Sequence, residues 1–244
     1  MSAVTLKKIK RTANNVTNIP SNNARRKGIN LNDISPVTIS QRKTFEAYRK
    51  GYNLILRGSA GTGKTFIAMY LSMKTAFVDL NSEYNKIIIV RSAVPTRDLG
   101  ALPGDIEEKT GIYELPYYSI CAELTDSDGV YNNLKENKSI AFLPTSYVRG
   151  VTFRNSIIIV DEFQNMTDHE LYSIITRAGE NCRFIFCGDI RQSDLSGKGN
   201  DKSGFQNFLK IVSKMGSFQE IDFTHEDIVR SGLVKEFIIA HETS

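Results

Sequence analysis

The sequence predicts a single α/β domain built on a parallel sheet with helices on both faces, and three observations lead there. Short apolar runs rich in β-branched residues recur along the 244-residue chain. Segments of helical period separate them. One junction between a run and a helical segment carries a Gly-rich octapeptide ending in Lys-Thr. The length suits one sizeable domain with its own core.

The apolar runs are "NLILR" (53–57), "KIIIVR" (86–91), "SIAFL" (139–143), "SIIIVDE" (156–162), "RFIFCGD" (183–189) and "QEIDF" (219–223). Their continuous rather than alternating hydrophobicity marks strands buried on both faces. Between them, "KTFIAMYLSMKTAF" (64–77), "DHELYSIITRAG" (168–179) and "GFQNFLKIVSKMG" (204–216) carry apolar residues at helical spacing. Strands alternating with helices call for parallel pairing. The longest irregular stretch, 94–138, holds three Pro and four of the ten Tyr. A stretch that long is functional or has structure of its own.

Charge is unevenly placed. Residues 1–30 contain Lys7, Lys8, Lys10, Arg11, Arg25, Arg26 and Lys27 and no acid. Removing these seven from 31 basic residues leaves 24 against 27 acidic ones. Residues 1–35 therefore read as a basic, flexible N-terminal arm, too poor in large apolar groups to offset its ordering entropy, and 36–244 as the folded domain. The arm is either a solubilising tail or a contact for nucleic-acid phosphates. Cys121, Cys182 and Cys187 are odd in number, and the last two lack zinc-knuckle spacing, which points to a reduced intracellular chain. With no apolar run long enough for a membrane span and no signal-peptide pattern, the expectation is a soluble, cytoplasmic protein without membrane association.

Gly58-Ser59-Ala60-Gly61-Thr62-Gly63-Lys64-Thr65 fits G-x-x-x-x-G-K-[ST] without a mismatch, after a buried strand and before a helix. Glycines let backbone N–H groups turn around an anion, and the helix N-terminus adds partial positive charge. Lys64 can reach the terminal phosphates and Thr65 can offer a hydroxyl to Mg²⁺. Such a cradle needs a second carboxylate for the metal. Asp161 supplies it at the end of "IIIV", and Glu162 beside it is placed to polarise an attacking water. In "FCGDIRQSDL", Gln192 falls at the same sheet edge, where an amide can bond the γ-phosphate or its water. Gln41, upstream of the first strand, is a candidate for an adenine edge.

Together these residues resemble the PhoH family, a single RecA-like P-loop domain similar to the first motor domain of superfamily 1 helicases. "RGSAGTGKT", "RSAVPTRDLGALPGDIEEK", "YVRGVTFRNSIIIVDEFQNMT", "FCGDIRQSDL" and "IDFTHEDIVRSGLVKEFI" carry the resemblance, which covers roughly residues 36–241. Phe163 stands where the family has Ala, and Ser92 where it has Pro. The short length and the arm also fit a phage-encoded member, which would act in the host cytoplasm.

The resemblance implies ATP and Mg²⁺ as ligands. Gln41 falls on adenine, Gly58 to Thr65 on phosphates, Thr65 and Asp161 on the metal, Glu162 as base and Gln192 as γ-phosphate sensor. It further implies ATP hydrolysis coupled to RNA remodelling or unwinding. One lobe needs a charge-stabilising arginine from elsewhere, so a homo-oligomer, a hexameric ring as in the family, is expected. Arg230, Arg149 and Arg191 are the candidates in trans, and each also fits a surface or interface ion pair. A different reading is a nucleotide-gated RNA- or protein-binding ring with slow hydrolysis and no helicase activity. A small-molecule kinase is disfavoured by the lack of an Arg-rich lid segment. Tyr113, Tyr117 and Tyr118 could stack nucleic-acid bases or cover the core edge, and Arg91 and Arg97 could meet phosphates.

Overall fold

Six strands form one sheet in the order β3-β2-β4-β5-β1-β6, and every pairing is parallel. The computed structural model describes residues 29–92, 106–189 and 204–243. The basic residues of 1–28, together with Arg97, Arg191 and Gln192, lie outside the described residues. In chain order the elements are α1 (Ile39–Arg49), β1 (Asn53–Gly58), α2 (Lys64–Met73), β2 (Lys86–Arg91), α3 (Ile106–Thr125) and α4 (Val130–Glu136). They continue with β3 (Ile140–Pro144), β4 (Ser156–Asp161), α5 (Asp168–Ile175), β5 (Cys182–Gly188), α6 (Phe205–Val212), β6 (Phe218–Phe223) and α7 (Gly232–Thr243).

The continuous apolar runs become strands because both sheet faces are covered, as parallel sheets require. Alternate residues serve alternate layers. Leu54, Leu56, Ile87, Ile89, Ile157, Ile159 and Ile185 join α1, α2, α3 and α4 on one face. Ile55, Ile88, Val90, Ile158, Val160, Phe184 and Phe186 join α5 and α6 on the other. The long stretch expected to be irregular thus supplies two helices, and Tyr117, Cys121 and Leu124 of α3 are buried in the first layer.

Local signals set the helix starts. Thr38 caps α1 by accepting from the Gln41 N–H. At α5, Thr167 and Glu170 cap each other reciprocally, satisfying two N-terminal donors. Residues 29–35, placed with the arm in the sequence, lie on the domain. Ile29 and Ile34 are buried in the first layer, and the Asn32 N–H donates to the Leu124 carbonyl at 2.8 Å.

Phe163, where the resemblance led to the expectation of Ala, is fully buried. Its ring packs against Phe186 at 5.6 Å, Phe205 at 5.1 Å and Phe208 at 6.1 Å between centroids. The larger side chain is accommodated by an aromatic cluster in the second layer, on the sheet face opposite α2. Gly188 is required beside it, since a Cβ there would lie 2.7 Å from the Phe163 ring and 2.6 Å from Gln164 Oε1.

Candidate nucleotide site

Strand register brings the chemistry to one edge. Arg91 pairs with Asp161, Asp161 with Cys187, and Arg57 with Gly188, so β2, β4, β5 and β1 all end at the same level. This is the carboxyl edge of an open parallel sheet, where ligands of such folds bind. Arg57 itself turns to β6, paired with Asp222 and Glu220.

The turn from β1 to α2 is shaped by glycines in conformations other residues rarely adopt. Gly58, Gly61 and Gly63 have φ of 128°, 71° and 85°. At Gly58 the need is steric as well, since a Cβ would lie 1.9 Å from the Phe223 carbonyl oxygen. At Gly63 a Cβ would meet nothing nearer than 3.7 Å, so backbone conformation alone selects glycine. Gly63 is also the N-cap of α2, and no side chain caps the helix and no acid occupies its first turn. An uncapped helix start inside a glycine loop suits an anion.

Lys64 lies inside this turn, 8% exposed, with its ammonium 2.8 Å from both the Gly58 and Ser59 carbonyl oxygens. Burial pushes its pKa below the ordinary lysine value, while Asp189, Cys187, Glu162 and Asp161 oppose that shift. Ala60 completes the loop, and Thr62, fully buried, donates to the Ser59 carbonyl at 3.0 Å. Gln41 is placed beside the loop: its amide donates to the Thr62 carbonyl at 3.2 Å and accepts from the Val37 N–H at 2.9 Å.

Thr65 and Asp161 meet. The Thr65 hydroxyl donates to Asp161 Oδ1 at 2.8 Å, and Tyr117 donates to Oδ2 at 2.7 Å. A hydroxyl and a buried carboxylate are hard oxygen donors of the kind Mg²⁺ accepts alongside phosphate oxygens, so the pair fits that metal. Glu162 follows at φ 52°, an uncommon conformation for a non-glycine residue and one that concentrates at functional sites. Burial and then the Asp161 charge raise its pKa, against Gln164, Arg91 and Lys64. Gln164 donates to Glu162 Oε2 at 2.6 Å and accepts from the Asp189 N–H at 3.1 Å, bridging the ends of β4 and β5.

Arg230 is in the same neighbourhood of its own chain. A Cβ on Gly61 would lie 2.6 Å from Arg230 Cγ, and the Val229 N–H donates to the Gly61 carbonyl at 3.1 Å. From the same segment, Glu242 of α7 accepts from the Ser59 hydroxyl at 2.9 Å and also contacts His225. Arg149 lies on the surface, with its guanidinium near His169 Nδ1.

Three residues outside the sequence assignment belong to the site: Tyr117, Gln164 and Arg91. Tyr117 is fully buried, which removes it as a base-stacking platform, and Tyr118 packs on Tyr131 with centroids 4.2 Å apart. Arg91 lies over Tyr113, 5.8 Å from its ring centroid. Burial opposes its charge, yet Tyr117, Asp161 and Glu162 raise its pKa overall. It therefore lies within electrostatic reach of Asp161 and Glu162 at the strand ends.

Known proteins share this sequence pattern. The family model described as PhoH-like protein matches residues 33–242. A PhoH-like protein of Synechocystis sp. is 35% identical over 85% of this chain and 62% of its own length. One from Bacillus subtilis is 33% identical over 84% and 63%, so the chain spans about three-fifths of these curated relatives. Among solved structures, the large terminase of a thermophilic bacteriophage aligns with TM-score 0.48 and 13% identity, covering 83% of this chain and 50% of that one. Unliganded Pif1 from Bacteroides sp. aligns with TM-score 0.40 and 12% identity, over 78% and 42%. With the family model matched over most of its length, the chain belongs to the PhoH-like protein family.

Proposed function

We propose that this domain is a Mg²⁺-dependent ATPase whose turnover is coupled to RNA remodelling or unwinding. The observation that carries the ATPase reading is the meeting of Thr65 and Asp161 at 2.8 Å, directly between an uncapped glycine loop and Glu162. In this reading Gly58 to Thr65 hold the phosphates by backbone N–H groups, and Lys64 neutralises the terminal ones. Thr65 and Asp161 would hold Mg²⁺, which when bound would neutralise charge on the phosphate oxygens. Glu162 accepts the proton of the attacking water on its carboxylate. Its raised pKa makes it a better base than an ordinary carboxylate at neutral pH.

Gln41 orients adenine from beside the loop, and Gln192 senses the γ-phosphate. Arg230, expected to act in trans, lies next to Gly61 of its own chain, and we assign it to charge stabilisation there. The homo-oligomeric ring, hexameric as in the family resemblance, is proposed from that resemblance and not from a need for Arg230 of a neighbouring copy. RNA or single-stranded nucleic acid is the partner proposed. No helix among the described residues is long and apolar enough to cross a membrane.

A second reading, a nucleotide-gated binding ring with slow hydrolysis, draws on a separate observation. The cradle residue Ser59 is tied to α7 through Glu242, and α7 exposes Leu233, Val234 and Phe237. Nucleotide in the cradle would then bias a surface rather than drive a motor. ATP turnover and strand displacement on a tailed RNA duplex separate the readings. Displacement lost in Glu162→Gln supports the motor, and ATP-dependent RNA binding without displacement supports the gate.

A further inference from the structure

Asp161 is held from two sides. Thr65 in the cradle donates to Oδ1, and Tyr117, 44 positions away on α3, donates to Oδ2 at 2.7 Å. Asp161 is 4% exposed and Tyr117 fully buried, so water does not compete for this bond. The tyrosine is itself fixed. Its ring packs on Phe142 with centroids 5.9 Å apart, and its hydroxyl also engages Arg91. A carboxylate bonded at one oxygen can still turn about its side-chain axis, whereas a second donor from another element sets its plane.

We propose that Tyr117 is a positioning residue for the metal carboxylate: its hydroxyl fixes Asp161 so that the carboxylate faces Mg²⁺ beside Thr65. The inference rests on the nucleotide-site reading above. It assigns α3 a role that its place in a stretch of irregular-looking sequence conceals. Outer-shell partners of this kind change metal affinity without touching the metal.

The test is Mg²⁺-dependent binding of a fluorescent ADP analogue by the full chain, followed by titration of the metal at fixed nucleotide. In Tyr117→Phe, which keeps the ring and removes the hydroxyl, the Mg²⁺ midpoint is expected to rise about tenfold. Binding of the analogue without metal should stay unchanged. In an Asp161→Asn background the same substitution should add nothing, because its effect passes through that carboxylate. Phe142→Leu, which loosens the same packing but keeps the hydroxyl, should leave the midpoint where it is.

An unchanged midpoint in Tyr117→Phe, with Asp161→Asn still shifting it, overturns the proposal and leaves the cradle reading standing. A shift of equal size in Phe142→Leu also overturns it, by assigning the effect to packing. If the unaltered chain binds no nucleotide, the cradle reading fails and this inference with it.

Discussion

The hydroxyl of Thr65 donates to Oδ1 of Asp161 at 2.8 Å, joining the first turn of α2 to the end of β4. Neither residue gains stability from this bond alone on a scale that would explain burying a carboxylate; the pair is worth about 1.5–3 kcal/mol as a hydrogen bond to a charged group. In the proposed reading the pair serves as two oxygen donors side by side for Mg²⁺. Asp161→Asn is therefore expected to lower Mg²⁺-supported ATP turnover by about 10²-fold or more, equivalent to about 2.7 kcal/mol of transition-state stabilisation. Steady-state phosphate release across a Mg²⁺ series checks this.

Glu162→Gln should reduce turnover by about 10²–10⁴-fold, the range for losing a general base, while nucleotide binding persists. The pH dependence follows from the raised pKa. Burial first, and the Asp161 charge second, disfavour the ionised form. In the base role proposed for Glu162 turnover needs that form, so its acid limb should lie at higher pH than an unshifted glutamate would give. The linkage to stability has the opposite sense. The folded state holds this proton more tightly than the unfolded one, so the contribution to stability is greatest at low pH and declines as pH rises through the raised value. Urea unfolding at several pH values should show that decline in the unaltered chain and a flatter profile in Glu162→Gln.

The cradle glycines should separate by mechanism. Gly58→Ala places a Cβ 1.9 Å from a backbone oxygen at φ 128°, and the expected result is loss of folding or severe destabilisation. Gly63→Ala meets only side-chain atoms at 3.7 Å or more, so its cost is the left-handed backbone, about 1–2 kcal/mol. Thermal melting and nucleotide binding on the two variants distinguish them: the second should fold and bind more weakly.

Phe163→Ala restores the residue the family resemblance expects, yet it should destabilise this chain. A fully buried ring contacting Phe186, Phe205 and Phe208 is removed, at a cost of about 3–5 kcal/mol. Denaturant midpoints give the value, and residual turnover at low temperature should survive because the ring touches no proposed ligand.

The strands and the cradle were legible because their signals are local. Continuous apolar runs give strands buried on both faces, and the Gly58 to Thr65 spacing ties a turn to a helix start within eight residues. Asp161 and Glu162 follow from standing at the end of such a run. Tyr117 was not legible as a site residue, since its bond spans 44 positions and Pro116 and Gly111 obscure the helix that carries it. Arg91 read only as a phosphate contact because nothing in its sequence neighbours shows Tyr113 beneath it. Residues 29–35 were placed with the arm because the resemblance begins near 36, although Ile29 and Ile34 are buried in the core.

The central claim, that Gly58 to Thr65 form a working phosphate cradle, is tested most directly by equilibrium binding of a fluorescent ATP analogue to the unaltered chain and to Lys64→Ala, with Mg²⁺ present. Saturable binding that weakens by about tenfold or more in Lys64→Ala, a loss of about 1.4 kcal/mol, is the predicted result. Absence of binding to the unaltered chain, or equal affinity in the two proteins, would contradict it.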